Sequence, residues 1–315
     1  MKKLWLLTTA ILVLGCASAQ KAPPEAPLKN TEIHNFALDF IRYWEKVEKL
    51  PVEEQVRLLK ADFFPKFPEF YADKIERWKK AGKNPDEEMA KQLSEFPAAK
   101  KDFVKKTKAI QASLKKGIEF FSKKFPDFNR GFRIYVTHSF GDMDGGTRQI
   151  DGKTYFIFGV DLMVKNHKGY TSEVPFFHHE LFHMYHRQFL PEERVIWNSL
   201  WAEGLATYAA KKLNPNATMK DLILDLPEGM IPKIKKDLAF HWSDLASKLT
   251  SRDADDHKSY FRLSSENKKV VVRAGYYLGY LLAQEIGKTM SLSEMAQLDE
   301  AHLVPLLQKI IATKL

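Results

Sequence analysis

The sequence has almost no cysteine: Cys16 is the only one in 315 residues. No disulfide can form within one chain, so a hydrophobic core must supply the stability, and the chain is long enough to build one. The apolar run at residues 4–14 is too short for a membrane-spanning helix. Internal repeats and nucleic-acid-binding motifs are also missing, although the net charge is +9. We therefore expect one exported catalytic or binding unit with no nucleic-acid partner.

Residues 1–19 have the features of an export signal, with Lys2 and Lys3 ahead of the apolar run. The signal can end in two ways. Residues 13–16 (Val-Leu-Gly-Cys) resemble a bacterial lipobox, which would put a lipid on Cys16, whereas residues 17–19 (Ala-Ser-Ala) fit ordinary cleavage before Gln20. We favour the lipoprotein, because the only cysteine lies where that interpretation needs it. Residues 20–30 would then be a tether, and the protein would face the periplasm or the cell exterior.

The most informative stretch contains the pattern H-E-x-x-H as His179, Glu180 and His183. Residues four apart lie on one face of a helix, so both imidazoles can bind the same metal ion. Glu203, twenty positions after His183, lies on a predicted second helix and offers a carboxylate. Two His and one Glu form a three-ligand Zn²⁺ site with a fourth position open for water. Glu180 beside it is placed to accept a proton from that water, as in metalloproteases.

Two other histidines compete as ligands. His186 falls on the same predicted face, but at about 1.5 Å rise per residue it lies roughly 10 Å along the axis from His179. His178 projects about 100° away from His179. We therefore predict that neither binds the metal, and that His186 is a supporting or solvated residue.

These residues resemble the gluzincin zinc metallopeptidases, which include thermolysin-like and aminopeptidase-like enzymes. The resemblance is carried by His179-Glu180-x-x-His183, by the nineteen residues before Glu203, and by the Trp-Ala-Glu-Gly-Leu-Ala block around Glu203. More loosely, the chain resembles zinc-dependent protease lipoproteins of the bacterial envelope. Two features depart from the family: Thr207 stands where thermolysin-like enzymes carry an aspartate, and the Gly-x-Met-Glu-Asn motif of the aminopeptidases is absent.

The resemblance also implies an oxyanion-binding tyrosine. Tyr276-x-x-Gly279 is similar to a Tyr-x-x-Gly element of aminopeptidase-like gluzincins, whose phenol donates to the developing oxyanion. Tyr277 or Tyr280 could take this role instead, or the segment could simply pack against another helix. Arg273, just before it, is a candidate for binding a substrate carboxylate.

The fold class expected from the pattern and the resemblance is α+β, mainly α. A thermolysin-like zincin core at residues 130–215 would contain a small sheet, the H-E-x-x-H helix and the Glu203 helix. Helical regions would flank it at residues 31–129 and 216–315. Within this frame we expect one clear helix at residues 97–124, strands at 132–138 and 155–161, and turns at 141–146 and 151–152. By the resemblance, strand 155–161 would be the edge strand that pairs with the substrate backbone.

Residues 98–130 carry ten Lys or Arg against three acids, which suits either a solvated helix face or attraction to an anionic envelope surface. The function predicted from all these features is zinc-dependent hydrolysis of peptide bonds in a peptide or protein substrate. Two alternatives stay open: a catalytically silent binding or assembly factor, and a zinc amidase acting on cell-wall peptides. The sequence gives no indication of the oligomeric state.

Overall fold

The computed structural model describes residues 31–128, 132–267 and 269–315. The export signal, Cys16 and the tether predicted for residues 1–30 lie outside these ranges. The described chain is mainly helical, with one four-stranded sheet, so the predicted α+β, mainly α class is confirmed. The finer prediction of a thermolysin-like core and the predicted region boundaries stay predictions. None of the described helices combines the length and apolar character needed to cross a membrane.

The N-terminal region forms one strand and four α-helices, with a π-helical turn (Leu59–Phe63) and a 3₁₀ turn (Phe64–Lys66) before α3. These elements are β1 (Glu32–Asn35), α1 (Phe36–Val47), α2 (Val52–Leu58), α3 (Pro68–Lys80) and α4 (Pro85–Lys124).

Three strands and nine helices follow among the described residues. The strands are β2 (Arg133–Thr137), β3 (Gly145–Ile150) and β4 (Lys153–Gly159). The helices are α5 (Val160–Asn166), α6 (Val174–His186), α7 (Ile196–Leu213), α8 (Met230–Lys236), α9 (Leu238–Lys248), α10 (Ala254–Phe261), α11 (Ala274–Ile286), α12 (Leu292–Ala296) and α13 (Glu300–Ala312).

Helix α4 is longer than predicted, because it begins at Pro85 rather than near Pro97. The Asn84 side chain accepts a hydrogen bond from the backbone N–H of Asp86 at 3.0 Å, and Pro85 occupies the first turn, where its missing N–H costs nothing. Pro97 lies inside the helix. The predicted apolar face is buried, including Phe103 and Ile110, and this packing outweighs the hydrogen bond lost at Pro97.

The sheet has the strand order β1-β2-β4-β3, with β1, β2 and β4 parallel and β3 antiparallel to β4. Two expectations are corrected here. Residues 32–35, predicted helical, form a strand with Glu32 opposite Arg133. Residues 145–150, of which the first two were predicted to be a turn, form a strand. Pairing with a neighbouring strand decides both segments, and it outweighs the local preference of glycine for turns.

The β3–β4 connection is the predicted turn, formed by Asp151 (φ 48°) and Gly152 (φ 76°). Two consecutive positive φ angles match the twist of a tight hairpin. Because β3 pairs with β4 on one side and β2 pairs with it on the other, β4 is an interior strand. The prediction that strand 155–161 is the edge strand beside the site is therefore wrong, and β3 occupies that edge.

Candidate metal centre

Helix α6 carries the H-E-x-x-H residues, as predicted. Pro175 lies in its first turn, and its apolar side is buried, with Phe177 packing edge-on against Phe158 of β4 at a ring-centroid distance of 5.0 Å. This packing against the sheet fixes the rotation of the helix. His179 and His183 lie one turn apart, and their Nε2 atoms are 3.0 Å from each other.

Helix α7 brings the third candidate ligand to the same point. Glu203 Oε2 lies 3.4 Å from His179 Nε2 and 3.3 Å from His183 Nε2. A tetrahedral zinc ion with bonds of about 2.0–2.1 Å separates its ligand atoms by about 3.3 Å. The three donor atoms therefore form a triangle of the size that one zinc ion requires. Among the described residues, these three are the one group of His, Cys, Asp and Glu that could hold a metal ion.

The ring of His179 is supported by Thr207, one turn after Glu203 on α7. Thr207 Oγ1 lies 3.4 Å from His179 Nδ1 and donates a 2.8 Å hydrogen bond to the Glu203 carbonyl oxygen. With Nε2 turned to the metal position, Nδ1 carries the proton and donates a hydrogen bond to the threonine oxygen. A hydroxyl is thus the group that supports this candidate ligand. His183 Nδ1 is buried without a hydrogen-bond partner among the described residues.

Glu203 supplies a negative charge at the candidate metal position, and although burial lowers the pKa of the neighbouring His183, this carboxylate raises it above its usual value. Burial alone would raise the pKa of Glu203, but the rings of His183 and His179 hold it well below its usual value, so the carboxylate is ionised. Burial lowers the pKa of His179, which favours the neutral ring that a metal needs. Burial also raises the pKa of Glu180 to about 7. An anionic carboxylate and a neutral imidazole are the forms in which such ligands bind zinc.

Glu180 faces the edge strand. A Cβ placed at Gly146 of β3 would lie 3.6 Å from Glu180 Oε2. The strand therefore passes close to the carboxylate with no side chain of Gly146 between them. Sequence reasoning missed this contact, because a Gly-Gly pair is a turn signal and the strand depends on pairing with β4.

A third helix, α11, completes the centre through a close crossing with α7. A Cβ on Gly204 would lie 2.2 Å from the carbonyl carbon of Gly279, and one on Gly279 would lie 2.3 Å from the carbonyl oxygen of Leu200. Only glycine allows backbones to approach so closely. Tyr276 lies one turn before Gly279, and Glu203 immediately precedes Gly204, so the crossing brings the phenol to the metal position.

Among the tyrosines of this segment, Tyr276 is the one that interacts with the carboxylates of the candidate centre. Burial raises its pKa, and the carboxylates of Glu203 and Glu180 together with a hydrogen bond to Glu203 raise it further. Tyr277 is buried in the core, and Tyr280 accepts a 2.9 Å hydrogen bond from Gln284. These two tyrosines therefore contribute to packing rather than to the candidate centre. The phenol of Tyr276 is therefore a neutral donor beside the candidate ligands.

His178 and His186 lie outside the candidate ligand cluster. His178 is held between helices by a 3.1 Å contact with the Gly117 carbonyl oxygen and a 2.9 Å contact with Asn214 Nδ2. Burial lowers the pKa of His186 to about 3, and its Nε2 has no partner among the described residues.

Arg187 is another residue near the centre that the sequence analysis did not single out. It donates a 2.7 Å hydrogen bond to Thr147 of β3 and forms an ion pair with Glu192. The sequence could have indicated this position, because Arg187 follows His183 by four residues and so lies on the same helical face.

Comparison with known families gives a match over most of the chain. Residues 66–306, more than half of the chain, match the family model described as "Putative zinc dependent peptidase (DUF5700)". The matched range contains every residue of the candidate metal centre. Searches of the curated proteins and of the solved structures found no match.

Proposed function

The chain belongs to this family of zinc-dependent peptidases, and we propose that it hydrolyses peptide bonds with Zn²⁺ held by His179, His183 and Glu203. One observation carries the proposal: three donor atoms from two helices converge in a triangle with sides of 3.0, 3.3 and 3.4 Å. This is the set of ligands that catalytic zinc sites use when a fourth position is left for the substrate side.

When bound, zinc supplies a Lewis acid that polarises the scissile carbonyl and makes a water molecule more acidic. Glu180 is the general base in the proposed mechanism. Its carboxylate lies between the ligand helix and β3, where it accepts the proton of the attacking water and then delivers it to the leaving amine. Tyr276 donates its phenolic hydrogen bond to the carbonyl oxygen as negative charge develops there.

The substrate backbone is proposed to run along β3. Pairing with β4 leaves the other edge of β3 without a strand among residues 31–128, 132–267 and 269–315. An extended peptide can add to such an edge through main-chain hydrogen bonds. Gly146 places this edge next to Glu180, so a peptide bound here passes the general base.

The test is to compare wild-type protein with Glu180→Gln for zinc content and for cleavage of a denatured protein. We expect one zinc per chain in both proteins, because Glu180 is not a ligand. The rate should fall by about 10²-fold or more in the variant, since the general base is lost. Glu285→Gln, a surface change on α11 that removes an ion pair with Lys288, is the matched control and should keep full activity.

Two alternatives make different predictions in the same experiment. A silent assembly factor would leave wild type and Glu180→Gln equally inert toward a broad peptide library, while both still bind a partner protein. A zinc amidase would cleave isolated cell-wall peptides but not the denatured protein.

The location of the enzyme is part of the proposal. A lipid on Cys16, followed by the tether 20–30, would hold the catalytic region at a bacterial envelope membrane. Metabolic labelling with a fatty acid should mark the wild-type chain and leave Cys16→Ala unlabelled. A soluble, unlabelled wild-type protein that begins at Gln20 would instead support ordinary signal cleavage.

A further inference from the structure

A buried guanidinium lies close to the candidate metal centre. Arg273 is 9% exposed, yet among the described residues its side chain forms no ion pair with a carboxylate, and its Nε has no hydrogen-bond partner. Its Nη2 donates a long hydrogen bond, 3.4 Å, to the Ile223 carbonyl oxygen. Burying an unpaired charge is costly, so structures normally pair such a group. An anion that arrives with the substrate would remove this cost.

Arg273 belongs to the same site as the proposed catalytic residues. Its guanidinium carbon stacks over the ring of Tyr276 at 3.8 Å from the centroid. Tyr276 lies one turn before Gly279, which touches Gly204 of α7, the residue next to Glu203. An anion bound to Arg273 would therefore lie beside the tyrosine and near the metal position.

The backbone that holds Arg273 is strained at both ends of its hydrogen bond. Arg273 has φ 60°, and so does Ile223, whose carbonyl accepts from it. Neither is glycine, and a β-branched residue is seldom found at positive φ. Residues kept in such conformations gather at ligand-binding sites, where the surrounding structure holds them in place. The strain here fixes the direction of one buried guanidinium.

A second buried donor lies in the connection between α5 and α6. The hydroxyl of Tyr170, in the α5–α6 connection, is buried without a hydrogen-bond partner among the described residues. The ring stacks on His167 with centroids 4.3 Å apart, which fixes its orientation. The next residue, Thr171, donates two hydrogen bonds to Asp221, two positions before Ile223, whose carbonyl oxygen accepts from Arg273. Two buried donors without acceptors indicate that the acceptor comes from outside the chain.

We propose that Arg273 binds a carboxylate of the substrate, with the Tyr170 hydroxyl as a second donor, and that the enzyme prefers peptides with a carboxylate close to the scissile bond. The inference rests on the proposed peptidase function and names its substrate class. Guanidinium and carboxylate form two parallel hydrogen bonds, which gives both affinity and orientation. The carboxylate is either the C-terminal group of the peptide or an Asp or Glu side chain, and the test separates these sources.

The activity test uses three matched libraries of Nα-acetylated octapeptides that otherwise lack Asp and Glu. The first has a free C-terminal carboxylate, the second a C-terminal carboxamide, and the third a carboxamide with one central Glu. We expect wild type to cleave either the first or the third library about tenfold or more faster than the second, measured as kcat/KM by mass spectrometry. Preference for the first identifies the terminal carboxylate, and preference for the third identifies the side chain.

Variants then assign the preference to Arg273. Arg273→Gln should reduce the ratio between the preferred and the neutral library to near one. Arg273→Lys should keep part of it, because the charge remains and the two-pronged hydrogen bonding is lost. Arg187→Gln is the matched control: its guanidinium also lies near the centre but is already paired with Glu192, so the ratio should be unchanged.

A binding measurement separates failure of this inference from failure of the proposed function. The protein is Glu180→Gln, and the probes are Nα-acetyl-Ala-Ala-Ala as free acid, the same peptide as carboxamide, and Nα-acetyl-Ala-Glu-Ala carboxamide. A carboxylate probe should raise the melting temperature more than the neutral one, and adding Arg273→Gln should remove the difference.

Three outcomes overturn the inference. The first is cleavage of all three libraries by wild type at equal rates, which would leave the peptidase standing and the carboxylate preference wrong. The second is loss of the preference in Arg187→Gln rather than in Arg273→Gln. The third is equal stabilisation of Glu180→Gln by the three probes. If no library is cleaved but the probes still discriminate through Arg273, the proposed function fails and the carboxylate site remains.

Discussion

Replacing Gly279 by alanine tests whether the crossing of α7 and α11 builds the catalytic centre. The added Cβ would lie 2.3 Å from the Leu200 carbonyl oxygen and 3.0 Å from the Gly204 Cα. An ordinary contact needs at least 3.4 Å, so the helices must separate by about 1 Å at this point. Overpacking of this kind costs about 1–3 kcal/mol of the free energy of unfolding.

The same displacement should reduce activity more than it reduces metal binding. Tyr276 lies one turn from Gly279 and moves with α11, whereas both histidine ligands lie on α6. A misplacement of about 1 Å in a catalytic group can cost about 10²-fold in rate. We therefore expect kcat/KM on the denatured protein to fall by about 10- to 100-fold while the purified variant still holds one zinc per chain. Denaturant unfolding, metal analysis and kinetics measure the three quantities.

Gly117→Ala is the matched control, because Gly117 is also helical but has its nearest foreign atom, His178 Nε2, at 3.7 Å from the added Cβ. That distance is an ordinary contact, and alanine is the better helix former by about 1 kcal/mol. The control should be as stable as wild type or more so, and fully active. If Gly279→Ala behaved like Gly117→Ala in both stability and rate, the close crossing would not be what positions Tyr276.

Two further changes test polar contacts, one beside the candidate ligands and one at the connection between α5 and α6. Thr207→Val removes the oxygen beside His179 Nδ1. Zinc affinity, measured by chelator competition, should then fall about 10- to 100-fold with little loss of stability. An unchanged affinity would mean that the 3.4 Å contact does not orient the ring. Asp221→Asn should cost about 2–3 kcal/mol, because the buried carboxylate accepts from the backbone N–H and hydroxyl of both Thr171 and Thr218 at 2.7–2.8 Å. Burial alone would raise the pKa of Asp221, but these hydrogen bonds lower it below its usual value. The stabilisation by Asp221 is therefore present above the unfolded pKa of about 3.9 and is lost as pH falls through the folded pKa. When unfolding is measured from about pH 3 to 7, the difference in unfolding free energy between wild type and variant should shrink below about pH 4, and a constant difference would contradict this assignment.

Much of the cluster that could hold a metal ion was predictable from the sequence, because two of its three residues are local to one helix. His179 and His183 are held together by the geometry of one helix, and that geometry follows from a spacing of four. Exclusion of His186 from the cluster followed from the same geometry. Glu203 required a meeting of two helices, and for this the resemblance to a known family supplied what the helical spacing could not.

The sheet could not be predicted in the same way. Residues 32–35 became a strand because they pair with residues about a hundred positions later, and nothing within four residues encodes that partner. Gly145 and Gly146 favour turns locally, yet pairing with β4 makes them a strand. The wrong choice of edge strand follows from this error, because without β3 the strand 155–161 had a free side.

The Tyr276-x-x-Gly279 spacing gains a physical meaning from the structure. Residues three apart lie on the same face of a helix, so the face of α11 that touches α7 at Gly279 also directs Tyr276 toward α7. On α7 the contact residue is Gly204, and its neighbour is Glu203. The two glycines therefore set the distance between the proposed oxyanion donor and the proposed ligand. A sequence search for such centres should ask for the second glycine, beside the glutamate, together with the tyrosine motif.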